Sequence, residues 1–127
     1  QELAAAQFGQ GADIIFHASG STGLGVFEAA RERKVLAIGV DSDQQAEAPG
    51  FILTSMVKQV DVAVFETVKS AKAGSFQGGV RVLGLKEGGV DYINDANNAQ
   101  WITPEVKAKV EALRAEIIAG SFPVPSK

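Results

Sequence analysis

The chain has 127 residues, of which 46% are hydrophobic and 21% charged, the proportions of an ordinary globular domain long enough to bury a core. A formal charge of −3 with scattered signs and no dense Lys/Arg stripe argues against a nucleic-acid surface. With no cysteine and a single histidine, disulfides, thiolate catalysis, cysteine-ligated metals and His-rich metal sites are excluded.

In chain order, Glu2-Leu3-Ala4-Ala5-Ala6-Gln7-Phe8 reads as a helix already under way, ended by Gly9-Gln10-Gly11. The expectation is a truncated or mature start, with an upstream strand missing. Asp13 to His17 is a short apolar strand that breaks into Ala18-Ser19-Gly20-Ser21-Thr22-Gly23-Leu24-Gly25. Leu24 to Arg33 is helical, with apolar Val26, Phe27, Ala29 and Ala30, and Val35 to Val40 is a second strand ending in Asp41-Ser42-Asp43-Gln44. Phe51 to Val57 is a third strand, closed by Lys58. Val60 to Ala73 is an amphipathic helix, with Val60, Val64 and Val68 at four-residue steps and Phe65 beside them. Gly79 to Leu85 reads as a fourth strand, and Lys86 to Gln100 as a glycine-rich irregular stretch. Trp101 precedes the last helix as a packing anchor. Thr103 is its N-cap, Pro104 its first residue, Val106, Val110, Leu113 and Ile117 its apolar stripe, and Gly120 its stop.

Regular alternation of strands and helices implies an α/β fold with a doubly wound, largely parallel sheet. The strand, turn, helix, strand unit over residues 12–43 carries both polar clusters to one rim, at the carboxyl ends of its strands. Ligands of open α/β sheets bind at such a rim. Glycines there allow a ligand to approach backbone N–H groups, and a carboxylate accepts two hydroxyl donors at once.

Several blocks carry a family resemblance. Gly11-Ala12-Asp13-Ile14-Ile15-Phe16, Gly20-Ser21-Thr22-Gly23-Leu24-Gly25-Val26 and Ala37-Ile38-Gly39-Val40-Asp41-Ser42-Asp43-Gln44 closely resemble the basic membrane protein family, the substrate-binding lipoproteins of ABC transporters typified by purine-nucleoside receptors. The blocks Leu53 to Lys58, Val82 to Val90 and Ile102 to Val106 follow in the family's order. The resemblance covers almost the whole chain but only the C-terminal part of the family. It implies a type I periplasmic-binding-protein fold, incomplete here, in which two lobes close on a ligand. Residues 1–46 would belong to the second lobe, 47–78 would return to the first, and 79–127 would supply the crossover and last elements.

On this reading the protein binds a nucleoside without catalysis or cofactor, and presents it to an ABC permease on the extracytoplasmic side, anchored by a lipid on the missing N-terminus. Asp41 would take the ribose hydroxyls, Lys58 would donate to the same ribose, and the backbone of Gly20, Thr22 and Gly23 would hold a hydroxyl or ring oxygen. Phe16 would stack on the base, with Asp43 as a further ligand. Plain alternatives stand beside each role. Asp41 and Asp43 suit turns and caps, Phe16 suits a strand core, and Lys58 suits a solvated strand end. His17, lacking a legible nucleophile or carboxylate arrangement, is not expected to be catalytic. If the fragment folds alone, its uncovered lobe surfaces predict a homodimer. The alternative function is a nicotinamide-nucleotide-binding domain of a dehydrogenase-like enzyme, although the glycine spacing is G-x-x-G-x-G, not G-x-G-x-x-G. A response-regulator-like domain lacks its companion acid and later lysine.

Overall fold

A computed structural model describes residues Gln1–Pro125. The chain divides into two compact units, Gln1–Val57 with Tyr92–Pro104, and Lys58–Asp91 with the chain from Glu105.

The first unit opens with α1 (Glu2–Gly9), whose Ala4 and Phe8, four residues apart, are buried on one face. Gly11, at φ +101°, turns the chain into β1 (Ile14–Phe16). A 3₁₀ turn over Gly20–Gly23 leads without a break into α2 (Leu24–Arg33). Left-handed Lys34 ends α2, and the Val35 N–H donates to the Ala30 carbonyl as the chain leaves. Next come β2 (Leu36–Asp41) and β3 (Ile52–Lys58). Ala4, Phe8, Phe27, Ala29, Ala30, Ala37, Ala48 and Ile52 form one buried cluster. Its alanines are where the helices and strands approach closely, and its large members are two phenylalanines and an isoleucine.

The sheet order is β1-β2-β3-β4, with β4 spanning Val90–Tyr92. The β1/β2 and β2/β3 pairs are parallel, so the sheet is largely parallel, as the alternation predicts. Ile14 pairs with Leu36 and Phe16 with Ile38. After a shift at Ala37/Ile38, Gly39 faces Ser55 and Asp41 faces Val57. This register brings the carboxyl ends of β1 and β2 to the same edge.

The polar run after β4 is ordered by one side chain. Asn98 is fully buried; its Nδ2 donates to the Ile93 carbonyl at 2.8 Å and its Oδ1 accepts from the Asp95 N–H at 2.9 Å. Ile93 N–H donates to the Ser55 carbonyl and Thr54 Oγ1 donates to the Ile93 carbonyl, fixing the segment beside β3.

The second unit holds α3 (Val60–Lys72) and α4 (Pro104–Ala119), the latter beginning at Pro104 as predicted and ended by Gly120 at φ +76°. Arg114 on α4 pairs with Asp91 and with Glu111. Two expectations fail here. Gly79 to Leu85 is not a strand: Val80 is 97% and Val82 85% exposed. The chain bends instead at Gly84, whose N–H donates to Glu87 Oε2 and whose carbonyl accepts from the Gly89 N–H. A backbone committed to that turn, with no strand beside it among the described residues, does not enter a ladder. The real fourth strand, Val90–Tyr92, lies in the stretch read as irregular. The predicted stripe of α3 does form on one side of a helix, yet Val60, Val64, Phe65 and Val68 are all exposed, because no layer among the described residues covers them. On α4, Val110 and Ile117 are half-buried whereas Val106 and Leu113 are exposed.

Candidate functional site at the carboxyl edge of the sheet

Phe16 is the last residue of β1 and is 57% exposed, so its ring is not part of the core. The next residue points the other way, and His17 is only 3% exposed. The 3₁₀ turn then folds over the histidine. A Cβ built on Gly23 would fall 2.1 Å from His17 Cε1 and 2.4 Å from Nδ1, so only glycine lets the turn lie this close. Phe27 of α2 meets the same ring edge to face, with centroids 5.0 Å apart. Gly20, at φ +54°, faces open space. The Thr22 hydroxyl is used locally, donating to the Ser19 carbonyl at 2.6 Å, which tightens the turn.

Asp41 ends β2 with a left-handed backbone at φ +72° and an exposed side chain. An aspartate tolerates that region better than most residues, but at a conformational cost. Two part-buried hydrogen bonds stand behind it. Gln44 Oε1 accepts from the Val40 N–H at 2.8 Å, and the Gln44 N–H donates to Ser55 Oγ at 3.1 Å. Gly39 makes room for both, since a Cβ there would come within 2.5 Å of Ser55 Oγ and 2.8 Å of Gln44 Oε1. The chain leaving Asp41 is therefore clipped back onto β2 and β3, which holds the carboxylate at the strand end.

Asp43 has a different task. Its Oδ1 accepts from the Gln45 N–H at 3.0 Å, the turn role that aspartates commonly fill. It also lines an open cleft of about 400 Å³ with Gln45, Ala46, Pro49, Gly50, Ile52 and Asn97, which none of the other predicted site residues lines. Lys58 is the last residue of β3, is exposed, and belongs to the second unit. Within the first unit, the fold thus gathers Phe16, Gly20, Thr22, Gly23 and Asp41 on one edge and sets Asp43 toward the neighbouring cleft.

Burial depresses the pKa of His17 below the ordinary imidazole value, while the negative charge of Asp41 and then the proximity of Gln44 oppose the shift. Gln44 lies near the ring without a hydrogen bond of normal geometry, for neither ring nitrogen has such a partner. Among the described residues no set of His, Asp and Glu side chains is grouped to hold a metal ion. Sequence reasoning passed over Gln44, Ser55 and Asn98. Only Gly39, an isolated glycine inside a strand, hinted at a close approach there.

The sequence-family comparison decides the affiliation. The model of the Bmp family, described as ABC transporter substrate-binding protein PnrA-like, matches residues 1–127. The chain belongs to the Bmp family. Among its Bmp-like relatives, it is 38% identical to a CD4+ T-cell-stimulating antigen of Listeria monocytogenes, an alignment covering 100% of this chain and 40% of the relative. It is 36% identical to the ABC transporter nucleoside-binding protein BmpA of Lactococcus lactis, over 98% of this chain and 39% of that protein. A crystal structure of an ABC transporter system solute-binding protein from Aeropyrum pernix superposes with a TM-score of 0.80 at 28% identity, covering 99% of this chain and 44% of that one. The chain thus spans about 40% of the length of these curated Bmp relatives, and its fold is that of part of a solute-binding protein.

Proposed function

We propose that this chain is part of a two-lobed, non-enzymatic solute receptor of an ABC importer, and that its ligand is a nucleoside. The observation that carries the reading is Asp41, held in a left-handed conformation at a strand's carboxyl end, on the same sheet edge as the exposed ring of Phe16. Unlike Lys34, whose positive φ closes a helix, Asp41 bears its backbone cost at a strand end on the ligand edge, where a fixed carboxylate is of use. A carboxylate and an aromatic face on one edge match the two chemistries of a nucleoside, a vicinal diol and a planar base.

In this reading Asp41 accepts from the ribose hydroxyls and Phe16 stacks on the base. The backbone of Gly20, Thr22 and Gly23 offers N–H donors, Lys58 supplies a donor for a ligand hydroxyl, and Asp43 serves the ligand from the adjoining cleft. Residues 1–46 are assigned to one lobe, 47–78 to a return into the other, and 79–127 to the closing elements. The exposed apolar stripe of α3 supports that assignment, since it suits a helix meant to pack on a layer supplied elsewhere. The name of the Lactococcus lactis relative supports the nucleoside. An ABC permease is the partner proposed for the loaded receptor, on the extracytoplasmic side of the membrane, and ligand binding selects its closed form.

The test is calorimetric titration of inosine, guanosine and adenosine, with NAD as control, into the full-length protein that carries this sequence. Saturable nucleoside binding abolished by Asp41→Ala is the expected result. Binding of NAD alone would replace this reading with the nicotinamide-nucleotide one, and silence from all four would remove the nucleoside.

A further inference from the structure

Asp41 is the middle residue of a three-residue turn. The Ser42 N–H donates to the Val40 carbonyl at 2.9 Å, and between them Asp41 holds φ +72°. A turn of this length closed around a positive φ is the rare, strained member of its class. Such a conformation persists only where its surroundings over-determine it.

The support here centres on one side chain. Gln44 Oε1 accepts from the Val40 N–H at 2.8 Å, so Val40 is bound at its N–H by Gln44 and at its carbonyl by Ser42. The Gln44 N–H donates in turn to Oγ of Ser55, a fully buried residue of β3. Gly39 pairs with Ser55 in the sheet, and a Cβ at Gly39 would strike both Ser55 Oγ and Gln44 Oε1. Positions on two neighbouring strands and one beyond the turn therefore serve a single bracket. A segment that only had to leave β2 could do so at negative φ, the region open to every residue. Bracket and turn together impose the left-handed backbone, and that backbone sets the direction of the Asp41 side chain whatever contacts its carboxylate makes.

We infer that Gln44 is a positioning residue of the ligand edge: anchored on Ser55, it holds the strained turn that aims Asp41 at the hydroxyl groups of the solute. The inference rests on the nucleoside reading above and adds to it a residue that acts only through Asp41.

The experiment compares wild type, Gln44→Met and Ser55→Ala in the full-length protein that carries this sequence. Gln44→Met keeps the length of the side chain without its acceptor, and Ser55→Ala removes the anchor. Inosine and 2′,3′-dideoxyinosine, which lacks the diol, are titrated into each. Both variants are expected to lose on the order of tenfold in inosine affinity, about the contribution of one misplaced charge-assisted hydrogen bond. Their dideoxyinosine affinity should stay at the wild-type level, since the groups that meet the base are untouched. The double variant should lose little more than either alone, because both substitutions open one bracket. An equal loss for both ligands, or an additive loss in the double variant, would overturn the inference in favour of a merely structural role.

A second measurement needs no ligand and follows the Asp41 HN–Hα coupling and the Ser42 amide exchange by NMR. In both variants Asp41 should leave positive φ and the Ser42 amide should exchange faster. An unmoved coupling with an equally protected amide would overturn the inference. If inosine fails to bind the wild type, the solute-binding reading fails on its own. The inference about Gln44 is then decided by the Asp41 backbone alone, as it is if dideoxyinosine binds too weakly to compare.

Discussion

The ring of His17 occupies the space into which a side chain at Gly23 would have to project, 2.1 Å from its Cβ position. The strand end and the turn that follows it are thereby packed through a single glycine. Gly23→Ala must displace either the ring or the turn, and overpacking of this kind typically costs about 1–3 kcal/mol. A lower urea midpoint, together with weakened ligand binding, is the expected outcome. An unchanged midpoint would mean that the turn does not rest on the ring.

Acid stability should carry the signature of the same ring. Burial holds the native pKa of His17 below the ordinary imidazole value of about 6.5. Between those two values the unfolded chain binds more protons than the native one, so stability falls as the pH drops through that window. Below the native pKa the ring is protonated in both states and its contribution to the slope ends. In urea unfolding at pH values spanning the window, His17→Gln should show a shallower loss than the wild type. Parallel curves would remove the buried-neutral account.

Asp41 separates stability from binding. Asp41→Gly relieves the positive φ that Asp41→Ala retains, and should be the more stable of these two variants by about 1 kcal/mol. Nucleoside affinity should nevertheless be lost with the carboxylate. Thermal unfolding and calorimetric titration of the same preparation check both halves. A destabilised variant that still binds would contradict the proposal.

Asn98 is a structural counterpart, fully buried and bonded at both ends of its amide. Asn98→Ala removes the acceptor of the Asp95 N–H and leaves the Ile93 carbonyl with the Thr54 hydroxyl alone, at a cost of about 1–3 kcal/mol. Faster hydrogen exchange at Asp95 and at Ile93, whose N–H bonds to Ser55, is the expected readout. Protection at wild-type level would show that the segment holds without the amide.

Where local chemistry decides conformation, the sequence was readable. Gly9-Gln10-Gly11 closed α1, the spacing of apolar residues over 24–33 matched α2, and Pro104 with Gly120 bracketed α4. That Phe16 and Asp41 share one edge followed from the parallel pairing that a helical crossover between two strands implies. What escaped depends on partners distant in sequence. Val80 and Val82 have strand-forming side chains but pair with no strand among the described residues, whereas Val90–Tyr92, preceded by glycines and followed by a polar run, lies beside β3. The exposure of Phe16 and the burial of His17 were likewise hidden, since strand alternation assigns adjacent residues to opposite faces without saying which face is covered. The clip made by Gln44 and Ser55 bridges eleven positions of sequence, and only the glycine opposite it left a trace.

The first unit is not continuous along the chain: it runs to Val57, departs, and resumes at Tyr92. Synthesis therefore passes through residues 58–91 before Ile93 exists to receive the Thr54 hydroxyl, and before Asn98 can close the polar loop. A nascent chain that has reached Lys58 carries β3 with one flank still bare. Its last hydrogen-bonding neighbour must come back from a long excursion, so closure of that loop, slow relative to local helix formation, is what completes the sheet.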